Sequence, residues 1–462
     1  WSRKYNSCRS GCHVFFPCQF NTRWCTCQTY QKKITMDHSK FLQRIDTLLL
    51  LVLFTMVAGF FTWSENVAIT RVIKVFTRIG MTVAIYFVHQ KIVNYGAIST
   101  FKWNHVWAPF LYVAYLLLGL ASVMWSTNPG YSSLQWLMTL ESFVFAFYFM
   151  KCYMLLDEYF PGHTIRFYNT MGNTVLGLIM IFIVGMYIDK DTFFRTVEGG
   201  TDFRLGGYIM NPNELGMLAG LGLSCLIFDL YRKPKKFWTI VKIAIILWAL
   251  ILTKSRSSLV GLLIIIFFHI RRSDSTKLKL AVYLIIIALL PVMVQTLILR
   301  SGGLDDILSM TGRMPFWKAL IAEGLPREPL LGFGFMRIDY LDHFKSLHTY
   351  AGHMTHNTFL QVLLNLGFVG FTIVLFQVFF TIRGFTQQLA EKKLMLMGIL
   401  IPILINSMTE FGIFGEANYG ILFYHFLIFS IVFSKPDRLN RVQQLFLKRK
   451  RPDLVGTPIV AA

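Results

Sequence analysis

Four cations and one imidazole in this sequence sit where charge chemistry is possible. His356 stands at the start of a long apolar run, and Arg204, Lys254, Arg256 and Arg313 lie beside other apolar segments, three of them at or near helix ends. An imidazole titrates near ~6.5, so His356 is suited to take a proton at neutral pH. Guanidinium groups are permanently charged and bind oxyanions in a bidentate manner, so Arg256, Arg313 and, less directly, Arg204 suit an anionic group such as a phosphate. Each residue alone has a plainer use. A histidine caps or anchors a helix at an interface, and an arginine snorkels to headgroups or satisfies a helix C-terminus. Glu410 and Glu416 flank the outer end of a later apolar run and are the best carboxylates for an alternative base. Glu141 and Glu214 are embedded in apolar runs and read as packing partners for arginine. A metal site competes for His356, because His353-x-x-His356 sets two imidazoles about one helical turn apart, with Asp339, Asp342, His343 and His348 upstream. No His-Glu-x-x-His run and no acid-rich magnesium pattern accompanies them, so no metal is expected.

The scaffold for these residues is a membrane protein. Of the 462 residues, 55% are hydrophobic and 15% charged. That balance argues against two or three soluble domains. The 43 Phe, 19 Tyr and 10 Trp are too many for so few charges to cover in water. With ~20 apolar residues needed per crossing, about twelve spans are expected. They centre on 46–63, 73–89, 106–124, 134–156, 168–188, 209–230, 237–253, 257–270, 280–299, 357–382, 394–409 and 418–434. The second carries Lys74 and Arg78 and the eighth is short, so these two fit the template least well. The fold class expected is all-α and polytopic, with one large periplasmic loop at 300–355.

A net charge of +21 invites a nucleic-acid reading, but the charges are distributed otherwise. Arg232, Lys233, Lys235 and Lys236, then Arg271, Arg272, Lys277 and Lys279, and finally Lys448 to Arg451, each border an apolar segment. That is the positive-inside pattern, and it places 231–236, 271–279, 383–393 and the tail 435–462 in the cytoplasm. The opposite loops are poor in positive charge apart from the isolated cations above. Loop 300–355 is the only sizeable extramembrane unit. It has a Ser301-Gly302-Gly303 turn, an amphipathic helix from Gly312 to about Glu323 with Trp317, a Pro326 to Pro329 breaker, and the glycines Gly332 and Gly334. A loop this long usually has a binding role.

Five of the seven cysteines fall in the first 27 residues. Residues 1–35 carry six Lys or Arg and no acid, and Met36-Asp-His-Ser reads as an ordinary start, so 1–35 is expected to be an upstream extension of a membrane domain over 36–434. Cys8-x3-Cys12 and Cys25-x-Cys27 fit no strong zinc spacing.

Several short runs occur in a telling order: Asn211-Pro212-Asn213 after Arg204, Thr253-Lys254-Ser255-Arg256-Ser257 between two spans, Gly312-Arg313 ahead of Trp317, Pro329-Leu330-Leu331-Gly332-Phe333-Gly334, and His356-Asn357 followed by Gly367-Phe368-Val369-Gly370. Together they resemble the O-antigen ligase and polymerase superfamily, over roughly residues 105–434. The resemblance implies a GT-C-like bacterial inner-membrane enzyme that uses no cofactor and works on the periplasmic face. It transfers a glycan from undecaprenyl diphosphate to a lipid A-core sugar, or, as a polymerase, to another carrier-linked repeat. By the same resemblance His356 is the base, Arg256, Arg313 and Arg204 bind the diphosphate, and Asn357, Lys254, Gly367 and Gly370 support them. The ligase pattern asks for His, then Asn, Ser or Gln, nine residues, Gly-x-x-Gly, and a Gly, Thr or Tyr three positions on. Ile373 occupies that last position, which leaves ligase and polymerase both open. A glycan transporter or flippase has a similar number of spans, but transporters commonly show paired halves and no internal repeat is found here.

Overall fold

The computed structural model describes residues 24–94, 103–159, 166–197, 202–232, 237–272, 313–336, 355–410 and 412–433, with a few single residues between 276 and 287 and at 338. Packing divides the chain into residues 1–48 and 49–462. The described part of the first unit is the opening of helix α1 (Trp24–Ala58), and every later element belongs to the second.

The chain continues as α2 (Val67–Asn94), α3 (Trp107–Ala121), α4 (Pro129–Tyr159), α5 (Arg166–Ile188) and the single turn α6 (Lys190–Phe193). A hairpin of β1 (Phe194–Val197) and β2 (Asp202–Leu205) is followed by α7 (Pro212–Arg232), α8 (Phe237–Thr253) and α9 (Arg256–Arg272). Next come α10 (Arg313–Gly324), α11 (Thr358–Thr386), α12 (Ala390–Thr409) and α13 (Tyr419–Val432). Among the described residues, seven helices are long and apolar enough to cross a membrane, and α8 and α13 are shorter apolar helices. The protein is therefore a mostly helical, multi-pass membrane protein. Most of the expected ninth span, 280–299, and most of loop 300–355 lie outside the described residues.

The two least typical expected spans are both helical. α2 covers 28 residues despite Lys74 and Arg78. Arg78 is buried, and its charge is matched within the bundle: Nε and Nη2 donate to Glu141 Oε2 at 3.0 and 2.8 Å, and Nη2 also donates to Ser142 Oγ at 2.7 Å. The guanidinium lies 4.0 Å from the Phe60 ring centroid. A charge at membrane depth survives only with such partners, and Glu141 serves as the packing partner that its embedded position suggests.

α13 is apolar all round, and every residue from Tyr419 to Val432 is buried. A helix of that composition belongs at the centre of the bundle. Around it Tyr112 stacks on Phe143 (5.3 Å) and Phe414 (5.4 Å) and meets the His425 ring edge-on at 4.5 Å. The all-α expectation needs one correction. Residues 189–208, which join the expected spans 168–188 and 209–230, contain the antiparallel β1–β2 hairpin, in which Arg195 pairs opposite Arg204. With so few residues the pairing is weak as a sequence signal, but it fixes the direction of the Arg204 side chain. One end of the bundle collects the starts of α7, α9, α10 and α11 and the end of α12, and there the candidate residues meet.

Candidate active site at one end of the bundle

Glu410 caps the end of α12, and its buried carboxylate is the hub. Oε2 lies 2.6 Å from His356 Nδ1. Oε1 accepts from Arg313 Nη2 at 2.9 Å and from Asn213 Nδ2 at 3.0 Å. Asn213 Oδ1 in turn accepts from Arg204 Nη2 at 2.7 Å, and Arg204 Nε donates to the Thr253 carbonyl at 2.9 Å. The carboxylate side chain is 7% exposed, Arg313 16% and His356 28%, so the imidazole is the member open to a substrate. A carboxylate beside Nδ1 fixes the tautomer with Nδ1 protonated and leaves the Nε2 lone pair as the acceptor.

Local sequence explains each placement. In Asn211-Pro212-Asn213 the first asparagine caps α7, its Oδ1 accepting from Asn213 N at 2.9 Å, and the proline opens the helix. That leaves the second asparagine's side chain to bridge Arg204 and Glu410. Asn357 caps α11 through Oδ1, which accepts from Phe359 N and Leu360 N at 3.0 Å. Its amide Nδ2 reaches the Met408 carbonyl at 3.3 Å, tying the start of α11 to the end of α12. Trp317 on α10 donates to the Thr355 carbonyl at 2.7 Å, and Phe316, Leu320, Phe333, Ile338 and Leu364 form the apolar seat of α10 over α11. The helix expected from Gly312 to about Glu323 is thus present, one residue displaced. His356 and Lys254 have left-handed backbones, with φ of 51° and 50°. Side chains other than glycine rarely hold that conformation unless the surroundings impose it, and such positions concentrate at functional sites.

Lys254 and Arg256 belong to the same locality. The Thr253 carbonyl just before them accepts from Arg204, and Ser258 just after them reaches the Asn213 carbonyl at 3.4 Å. Both cations are half-buried, and Arg256 is the first residue of α9. The structure therefore gathers Arg204, Asn213, Lys254, Arg256, Arg313, His356, Asn357 and Glu410. Arg204 is the most committed of them, since it braces Thr253 and Asn213. His343, His348, His353, Asp339 and Asp342, which carry the metal alternative, lie outside the described residues. Glu416, the other carboxylate singled out from sequence, accepts from the Tyr131 hydroxyl and is not bonded to His356.

Gly367 and Gly370 serve the framework. At Gly367 α11 breaks, with φ of 60° and ψ of −164°. The break exposes backbone groups that the 329–334 segment satisfies. Phe333 N and Gly334 N donate to the Leu364 and Asn365 carbonyls at 3.1 and 2.8 Å, while Phe368 N and Val369 N donate to the Pro329 and Leu330 carbonyls at 2.8 and 3.2 Å. A Cβ on Gly367 would lie 2.3 Å from the Leu330 carbonyl. The backbone approach and the positive φ both require glycine, and Gly332 is similarly confined, 2.4 Å from Leu364 O. Gly370 packs under the Leu366 side chain. Gly367→Ala should destabilise the fold by about 2–5 kcal/mol, the sum of a positive-φ backbone penalty and a backbone clash. Thermal unfolding in detergent measures this, and an unchanged midpoint would contradict the docking described.

The hub has a pH signature. Burial pushes the Glu410 carboxyl up, but the hydrogen bond and charge of His356, the charge of Arg313 and the Asn213 amide outweigh it and hold it at about 2. Its folded value is below its ordinary 4.5, so its contribution to stability is complete above 4.5 and is lost as pH falls through about 2. Acid unfolding of the wild type should therefore be steeper between those values than that of Glu410→Gln. Equal slopes would show that the carboxylate is not held in this way.

A search of curated proteins finds no match to the chain. The family model described as O-Antigen ligase matches residues 241–375. The match runs from within α8 to within α11 and contains Lys254, Arg256, Arg313, His356, Asn357, Gly367 and Gly370, whereas Arg204, Asn213 and Glu410 lie outside it and are bonded into the same site. Residues 241–375 thus match the O-antigen ligase family, the same family that the motifs resemble.

Proposed function

We propose that the protein transfers a glycan from undecaprenyl diphosphate to a lipid A-core sugar hydroxyl at the extracytoplasmic face of the bacterial inner membrane. The observation that carries this reading is the meeting of an imidazole, a buried carboxylate and several cations at one end of a membrane bundle. The acceptor O–H gives its proton to His356 Nε2 as its oxygen attacks the anomeric carbon. The carbon–oxygen bond to the diphosphate breaks, and its electron pair leaves on the diphosphate. Glu410 stabilises the imidazolium formed. Arg256, Lys254 and Arg313 neutralise the departing charge, with Arg204 as a brace. Diphosphate leaves without a general acid, so one base and a set of cations suffice, and a single displacement inverts the anomeric centre. In this reading 300–355 is a periplasmic loop, 36–434 the transferase and 435–462 a cytoplasmic tail.

Polymerisation, in which the acceptor is a second carrier-linked repeat, is the alternative favoured by Ile373, which departs from the ligase pattern. The purified protein should be given carrier-linked glycan with lipid A-core, and separately without it. Product on the core lipid alone supports the ligase. Lengthened carrier-linked chains in the absence of core establish the polymerase instead. Glycan crossing a bilayer with no bond made removes both.

A further inference from the structure

The other ends of two site helices enclose a second feature. α9 begins at Arg256 and α12 ends next to Glu410, and these helices pack against each other. With a rise of about 1.5 Å per residue, their far ends lie roughly 25–30 Å away, at the opposite end of the helix pair. There a cavity of about 390 Å³ is lined by Phe268 and Arg271 from α9 and by Ala390, Lys393, Leu394 and Met397 from α12. Phe268, Leu394 and Met397 are half-buried and give an apolar wall, while both charged lining residues are cations. The adjacent Lys392 is directed elsewhere, donating to the Ser430 carbonyl at 2.8 Å. This combination suits one ligand chemistry. Arg271 and Lys393 match the charge of a phosphodiester headgroup, and the aromatic and aliphatic wall matches an acyl chain. A zwitterionic headgroup carries its own cation and is disfavoured by the pair. A free phosphate leaves the apolar wall without a contact.

We propose that this cavity binds one anionic diacyl phospholipid in the leaflet opposite the transfer site. The lipid clamps α9 to α12, the two helices whose other ends carry Arg256 and the approach to Glu410. The cavity and its charges carry this assignment, which stands whether the protein is a ligase, a polymerase or neither.

The test is native mass spectrometry of the full-length protein in detergent containing equimolar phosphatidylglycerol and phosphatidylcholine. One phosphatidylglycerol should be retained per chain in preference to phosphatidylcholine. Arg271→Ala with Lys393→Ala should weaken that retention by about 30-fold, from two cations each contributing about one lipid-surface interaction. Met397→Trp fills the groove with both cations intact and should also expel the lipid, so the proposal stays testable if the double variant fails to fold. Equal retention of the two lipids by the wild type would overturn the proposal. So would unchanged retention in either folded variant, or displacement of the lipid by millimolar inorganic phosphate, which would mark a phosphate site only.

Discussion

His356→Ala should lower glycan transfer by about 10²–10⁴-fold, the usual contribution of a positioned general base. Among the described residues only Nδ1 of this imidazole is bonded, and the side chain is 28% exposed, so the protein should remain folded. The left-handed backbone at this position calls for a second variant. Asparagine tolerates positive φ far better than alanine and has no basic nitrogen, so His356→Asn separates loss of the base from backbone strain. Both variants should be inactive while their unfolding midpoints in detergent differ. Transfer restored in the asparagine variant would show that position 356 matters for its backbone and not for its imidazole.

Glu410→Gln should cost transfer a comparable factor, about 10²–10⁴-fold, although glutamine fills the same space. An amide can donate to His356 Nδ1, which moves the proton of the neutral ring to Nε2 and removes the lone pair that would accept from the acceptor hydroxyl. The glutamine oxygen still accepts from Arg313 or Asn213, which limits the penalty of leaving a buried guanidinium without its partner. The expected signature is a fall in kcat with binding of carrier-linked glycan nearly unchanged. A variant in which binding fails and kcat survives would place Glu410 among the donor-binding groups instead.

The bundle was legible because the apolar runs are long and their flanking lysines and arginines repeat the same asymmetry. The starts of α9 and α11 could be read the same way, since Arg256 and His356 stand at abrupt changes in hydropathy. Glu410 was visible as a carboxylate at the end of a span and as an alternative base, but not as the partner of His356. Its role depends on a bond to a residue 54 positions earlier, which no local pattern encodes. Asn213 was harder still. A helix start explains Asn-Pro-Asn completely, so nothing local marked the second asparagine as the bridge between Arg204 and Glu410. The break at Gly367 was hidden because its neighbours are apolar and helix-compatible. Its cause is the 329–334 backbone, which pairs with α11 across about 35 residues of sequence. Arg78 illustrates the opposite case, since a charge that weakened the second expected span turned out to be matched by Glu141, 63 positions away.

The most direct test is the configuration of the bond the protein makes. A carrier-linked glycan of known anomeric configuration is incubated with wild-type protein and acceptor, and the new linkage is read by nuclear magnetic resonance. Direct displacement by a His356-activated hydroxyl predicts inversion, with one undecaprenyl diphosphate released per bond formed. Retention of configuration would require a covalent glycosyl-enzyme or a second displacement, and would contradict the single-base account.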